Sequence, residues 1–447
     1  MISVLFYIVY IIIMISAPAV VFGKRSYLIL FVLMMCAQFN VTSFFKAGIT
    51  VSFFEIALLL SSLPILLYSK SFLGSVRFTA ADKVFFAFLI FSGLSVVIAV
   101  IRIGIGNLVP SFEYLDTNPI LRSFMSLNKV ILFVPLLIVL RNYLLTKWDS
   151  AFLNQKFLIY LAYSGILPAF AVLIQFLGVG FFLIHNNPSF GEDFKIVDYY
   201  VDRPVGLTNE ASFFVYQLFF SFVALFECNF RGLIKKRLFI FIFILFAIAV
   251  VLSLSRTGLI FYIFFMLLYQ FRSGLSLTKT IGVAVVLSVA FFLVRNLNIY
   301  GFNIIDRIMS SFDTQADLST IERYGSTQAI WDLALDKALL VGVGIYNYGY
   351  YATSYLPEYM SVIQYSKDKP LPSFNFVLQL VAEWGIPLFL FFVTRQFFKL
   401  RKSNDYFVKI FFMFLLFYAL TFQVLNFATP FLILLFTTND EKDTLRA

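Results

Sequence analysis

Arg203, Arg256 and Arg323 are the residues of this sequence best suited to chemistry, because they stand where a membrane chain has little reason to place a positive charge. A guanidinium is a planar fork that donates two parallel hydrogen bonds and keeps its charge when partly desolvated, which suits phosphate. Arg203 lies in Asp202-Arg203-Pro204-Val205-Gly206-Leu207-Thr208-Asn209-Glu210, Arg256 in Ser253-Leu254-Ser255-Arg256-Thr257-Gly258, and Arg323 beside Glu322 in a long polar stretch. On one membrane face the three could clamp a membrane-anchored pyrophosphate. Plainer roles stand beside this one: Arg323 pairing with Glu322 or a nearby Asp, and Arg256 snorkelling to lipid headgroups. An arginine drawn to the bilayer centre costs about 3 kcal/mol, less at the interface, so Arg256 is expected to have an anionic partner.

Carboxylates follow the same bias. Glu55 lies inside the third apolar run near its external end, Glu210 opens the seventh, and Glu383 is deep in the eleventh. Acids in spans mark sites or structural ion pairs, and Lys129 is a candidate structural partner. Glu210 is the first choice for a general base. The single histidine, His185, stands in an external loop and is a distant second. There is no HExxH, no His cluster and no DxD, so no transition-metal site is expected. Cys36 and Cys228 lie far apart in or beside apolar runs, which supports neither a disulfide framework nor a Cys-based metal site. Val341-Gly342-Val343-Gly344 lacks the Lys of a nucleotide loop.

The elements that must hold these residues are membrane spans. Of 447 residues 61% are hydrophobic and 13% charged, with mean hydropathy +0.91, more apolar surface than a soluble domain can hide. Phe occurs 60 times. This fits lipid-facing helices and a groove for a long apolar ligand, and equally a codon bias. A span needs about 20 apolar residues. Such runs lie near Val4–Phe22, Tyr27–Phe45, Val51–Tyr68, Val84–Ile105, Leu127–Leu140, Phe157–Ile184, Leu207–Phe230, Leu238–Leu254, Gly258–Phe271, Thr280–Val294, Phe374–Val393 and Tyr406–Phe436, the last breaking near Asn426–Pro430. The first run, despite Ala17-Pro18-Ala19, lacks a basic leader and is read as a helix.

The net charge of +10 is a topology signal, because Lys and Arg gather in every second loop as cytoplasmic segments require, and not a sign of nucleic acid. The loops at 106–125, 185–206, 255–257 and 295–373 are then external. The pattern divides into residues 1–294 with ten spans, the large loop 295–373 and C-terminal spans in 374–447. Within the loop, Ile321–Val341 has helical periodicity and Tyr346–Tyr365 is rich in tyrosine, so a folded cap is expected. Tyr346, Tyr348, Tyr350 and Tyr351 could stack on sugar rings or anchor the loop at the interface.

Arg203 to Glu210 before a span, Ser255-Arg256-Thr257-Gly258 opening another, Arg323 and Trp331 leading to Gly342-Val343-Gly344, then Asn375 and Glu383-Trp384-Gly385 resemble the O-antigen polymerase and ligase superfamily. The resemblance implies an all-α, polytopic, GT-C-like protein of about 12–13 transmembrane helices with a large, partly helical periplasmic loop, set in a bacterial inner membrane. It implies a glycosyltransferase working without a cofactor on undecaprenyl-pyrophosphate-linked oligosaccharides. A flippase and a chain-length regulator are its expected partners besides membrane lipids. It implies Glu210, Arg256 and Arg203 as catalytic, with Arg323, Asn209, Tyr346, Asn347, Asn375 and Glu383 on the substrate. Ligases of this kind usually carry a histidine near the external start of the span after the large loop. Here that region reads Pro370-Leu371-Pro372-Ser373-Phe374-Asn375, which favours polymerase over ligase. A lipid-linked oligosaccharide flippase is the rival from another class, and it predicts charges along a central path open to both sides in turn.

Overall fold

A computed structural model describes residues 11–30, 43–46, 50–68, 78–108, 119–177, 204–206, 211–271, 298–299, 302–303, 318–362, 371 and 373–402, with isolated positions 8, 32, 76, 281 and 409. The chain is a helical membrane protein. Among the described residues three helical stretches are long and apolar enough to cross a bilayer: Asp82–Gly104, Ala151–Phe176 and Ala211–Phe230. The expected runs Thr280–Val294 and Tyr406–Phe436, and most of Tyr27–Phe45, lie outside the described residues. So does much of the first run, within which Ile11–Val20 is a short apolar helix. The helices are α1 (Phe53–Tyr68), α2 (Ala80–Gly104), α3 (Pro119–Lys147), α4 (Ser150–Ser164), α5 (Ile166–Phe176), α6 (Ala211–Phe230), α7 (Lys236–Leu252), α8 (Arg256–Phe271), α9 (Leu318–Asp336), α10 (Tyr348–Ala352), α11 (Phe376–Trp384) and α12 (Ile386–Lys402).

Two small antiparallel ribbons accompany the helices: β1 (Ser43–Lys46) with β2 (Thr50–Ser52), and β3 (Asn298–Ile299) with β4 (Phe302–Asn303). Phe44 and Phe45, expected to end the second span, are therefore strand residues. Two of the expected runs are interrupted. The run from Phe157 breaks at Gly165, where a Cβ would stand 2.6 Å from Ser221 Cβ and 2.7 Å from Phe246 Cζ. The run from Phe374 breaks at Gly385, whose φ of +83° ends α11 and starts α12. A left-handed backbone of this kind costs glycine nothing.

The chain divides into two compact units, one formed by Met1–Ala57 with Gln155–Asp313, the other by Leu58–Asn154 with Thr314–Ala447. In the first, α6 is almost wholly buried among α5, α7 and α8. Its Phe219, Phe222 and Phe226 meet Phe239 and Phe243 of α7 and Tyr262, Phe265 and Tyr269 of α8 at centroid distances of 4.2–6.1 Å, all tilted or edge to face. Such pairs add to the burial of apolar area. Much of the phenylalanine excess is thus spent inside this helix packet.

In the second unit, α2 and α3 are locked at one end by Arg141, which donates to both carboxylate oxygens of Asp82 at 2.9 and 2.7 Å, with 1% and 0% of the two residues exposed. Thr79 and Asp82 cap α2 reciprocally. The alternation of charge along the sequence places Arg141 in a cytoplasmic loop. Because α3 runs on to Lys147, it is instead a buried structural partner. The helix expected over 321–341 is α9, and it packs on α10 and α11.

Candidate active site

In the first unit the site is built around the start of α8. Ser253 and Leu254 turn the chain, Leu254 at a φ of +50°, and the Ser255 hydroxyl accepts from the Gly258 N–H at 3.3 Å, capping the helix. Gly258 faces α6, where a Cβ would lie 2.5 Å from Val215 Cγ1, so its lack of a side chain seats the helix start against α6. Arg256 is thereby fixed, half-buried, at the first position of α8. A cation there opposes the helix dipole by about 0.3–1 kcal/mol. The same dipole favours an anion, so an arginine and a helix end placed in this way could act together on a phosphate.

Residues 204–206, which follow Arg203 in the sequence, are anchored in the same unit. Gln175, near the end of α5, accepts from the N–H groups of Val205 and Gly206, both at 2.9 Å, and donates to the Gly206 carbonyl at 2.7 Å. Gly206 has a φ of +64°, and a Cβ there would meet Phe214 at 2.6 Å. Gln175 thus fixes the turn at Val205 and Gly206. Its signal in the sequence was a lone amide inside an apolar run. Arg203, Asn209, Glu210 and His185 lie outside the described residues. Glu55 is buried in the first turn of α1, and the Lys129 side chain is among those not described.

The second unit holds the other candidates. Arg323, on α9, lies over the Phe374 ring with its guanidinium carbon 5.2 Å from the centroid, inside the range of a cation–π contact. Next to Phe374, Asn375 caps α11, its Oδ1 accepting from the Leu378 N–H at 2.9 Å. Glu383 is fully buried in α11 and accepts from Gln379 Nε2 at 3.0 Å. Asn347 is buried, and its Nδ2 donates to the Val343 carbonyl at 3.4 Å. Tyr346 is half-buried with a φ of +61°. Tyr348, Tyr350 and Tyr351 face inward, packed in a core with Ile330, Leu333 and Val343. No ring face of these three is offered to a sugar, which corrects the expectation for them.

Gly342 to Gly344, which could be mistaken for a phosphate loop, is a strap laid on the end of α11. Val343 N–H donates to Ala382 and Gly344 N–H to Glu383, both at 3.0 Å, and Ile386 N–H returns to Leu339 at 3.1 Å. A Cβ on Gly342 would stand 2.0 Å from the Glu383 carbonyl oxygen. Beyond it, the Ile345 N–H donates to Ser95 Oγ of α2 and its carbonyl accepts from Ser123 Oγ of α3. Arg102, in the last turn of α2, donates to the carbonyls of Lys337 (2.6 Å), Val341 (2.5 Å) and Gly342 (3.0 Å). Sequence reasoning passed over Arg102 because it is embedded in an apolar run.

One face of α9 lines an open groove of about 640 Å³. Tyr324, Thr327, Gln328 and Trp331 come from α9, Tyr359 from the 3-10 turn Glu358–Val362, and Asn375 and Leu378 from the start of α11. The turn lies close because α9 has Gly325 beneath it, where a Cβ would be 2.3 Å from Met360 Sδ. The Tyr359 hydroxyl donates to Gln328 Oε1 at 3.0 Å. The spacing 324, 328, 331 was readable as one helical face, but nothing in the sequence tied it to Tyr359.

Among the described residues no group of three or more His, Cys, Asp or Glu stands together as a metal site would require. Residues 241–393 match the sequence family described as O-antigen ligase. The matched stretch contains Arg256, Arg323, the groove and the glycine strap. Comparison with curated proteins and with solved structures gave no match.

Proposed function

We propose that this chain, a member of the O-antigen polymerase and ligase superfamily by its residues 241–393, is the polymerase that joins lipid-pyrophosphate-linked oligosaccharide repeats at the periplasmic face of a bacterial inner membrane. The observation that carries this reading is Arg256 at the capped, anion-favouring start of α8 within the matched stretch. A hydroxyl oxygen of the acceptor repeat attacks the anomeric carbon of the donor chain. The bond from that carbon to the pyrophosphate oxygen breaks, and the polyprenyl pyrophosphate leaves with the electron pair. The hydroxyl proton passes to a base, for which Glu210 is the choice. The transition state is oxocarbenium-like at the sugar, as in glycoside hydrolysis, while negative charge grows on the leaving group. Fixed positive groups then contribute most of what the protein supplies. Arg256 and Arg203 are assigned to the pyrophosphate, and Arg323 to that group or the acceptor's.

Ligase is the second reading, favoured by the family description, whereas the sequence Pro370 to Asn375, without a histidine, favours polymerase. Deleting the protein separates them. A single repeat on the final acceptor supports the polymerase, full-length polymer left on the carrier lipid means a ligase, and repeats held on the inner leaflet mean a flippase. In an inserted Arg256→Ala variant, joining of repeats is expected to fall about 100- to 1,000-fold, the usual loss when one donor to a developing anion is removed. Arg256→Lys should also be impaired, because an ammonium lacks the bidentate fork. Normal chain length in both variants would remove the pyrophosphate assignment.

A further inference from the structure

The groove on α9 is lined without Arg256, and its lining combines aromatic faces with amides in a way that lipid contact does not require. Tyr324, Trp331 and Tyr359 are 44%, 48% and 41% exposed, unusual for large aromatics in a folded segment whose neighbouring tyrosines are buried. Between them stand Thr327, Gln328 and Asn375. Gln328 Oε1 is taken by the Tyr359 hydroxyl and Asn375 Oδ1 by the Leu378 N–H, so among the described residues each amide has its NH₂ group left to donate. The groove therefore offers ring faces, which attract the weakly positive C–H bonds on the apolar face of a pyranose, and donors for its hydroxyls.

We infer that this groove is a saccharide-binding subsite that holds the sugar chain of the substrate by stacking on Trp331 and Tyr324, with Gln328 and Asn375 donating to its hydroxyls. Tyr324 and Trp331 are seven residues apart, about 10 Å along the helix axis at 1.5 Å per residue. That is longer than one pyranose ring, so the two receive different sugars of one chain. The Tyr359–Gln328 hydrogen bond holds the far wall in place, which lowers the ordering cost of binding. The subsite rests on the glycosyltransferase reading for its role but not for its chemistry, and Arg256 does not line it.

The sequence supplies a probe. Of three tryptophans, Trp148 and Trp384 are buried at 6% and 1% exposure, leaving Trp331 as the one open to solvent. In the full-length protein in nanodiscs, lipid-free repeat oligosaccharide released by mild acid from the host's carrier lipid should shield tryptophan fluorescence from acrylamide in a saturable way. Trp331→Phe should abolish that optical change. Trp331→Ala should raise the oligosaccharide concentration needed for joining tenfold or more while leaving the maximal rate within a few-fold, since binding rather than charge stabilisation is lost. Gln328→Ala should move in the same direction by less. Shielding by lipid alone, with no further change on adding sugar, would overturn the proposal in favour of interfacial anchoring. So would normal joining in Trp331→Ala. Arg256→Ala is expected to keep the sugar-induced shielding while losing transfer. If instead it transfers normally and the shielding remains, the pyrophosphate reading falls and the saccharide site stands.

Discussion

Two aromatic segments of the same stretch of chain, Tyr348–Tyr351 and the Tyr324–Trp331 face of α9 with Tyr359, have similar chemistry and opposite orientation. The first is wound into the short helix α10 and buried with Ile330, Leu333 and Val343. The second stands open on a groove. Tyrosine density made the first a candidate for stacking on sugars or for anchoring at the interface, while the second is the one whose rings stand open. What separates them is their immediate support. The strap at Gly342–Gly344 and the core shared with α9 and α11 leave α10 inside, whereas Gly325 seats Met360 on α9 beside the open groove.

That contrast breaks most sharply at Tyr350. Truncation of this fully buried ring by Tyr350→Ala should cost about 3–5 kcal/mol, the range for a large aromatic lost from a core, measured by denaturant unfolding in detergent. The groove variants Trp331→Ala and Tyr324→Ala should stay within about 0.5 kcal/mol by the same measurement, as surface changes usually do. Equal losses would mean that the two segments do not differ as described. Arg102→Ala comes next, at about 2 kcal/mol, because three backbone carbonyls lose a charged donor at once. It should also speed proteolysis of the loop without touching the groove.

The smallest effect concerns pH. Tyr355 donates to Asp336, which lowers the carboxyl below its usual range, while burial and that bond push the Tyr355 phenol up to about 12. A carboxyl depressed in the folded state contributes fully above its unfolded value and loses that contribution only as pH falls through the lower folded value. A tyrosine raised in the folded state contributes below its unfolded value of about 10, and the contribution is lost towards 12. This pin should therefore hold across the whole neutral range. A Tyr355→Phe difference spectrum taken through an alkaline titration should place the missing phenol near 12 rather than near 10.

Much of the helical layout was legible. The runs Val84–Ile105, Leu238–Leu254 and Gly258–Phe271 correspond closely to α2, α7 and α8, because length and apolarity decide what a bilayer accepts. The breaks at Gly165 and Gly385 were not legible, since hydropathy does not register the close approach of side chains at the first or of backbone at the second. Arg141 was taken for a loop charge because its partner Asp82 is 59 residues away. Of the site, Arg256 could be found from position alone, as a charge that topology does not require. Gln175 and Arg102 act through backbone groups, N–H and C=O together for one and carbonyls for the other, which every sequence possesses and none displays.

The glycine strap carries a consequence for the order in which the protein is made. Arg102 and Ser95 on α2 are synthesised early, and the segment Val341 to Ile345 that they hold more than two hundred residues later, but Ala382 and Glu383, which accept from Val343 and Gly344, come later still. Until the ribosome has released that stretch, Gly342–Gly344 has only half of its contacts. This half of the molecule therefore closes late, when α11 arrives, and a chain truncated before Ala382 should insert its early helices yet leave Tyr350 and its neighbours without the lid of α11 over them.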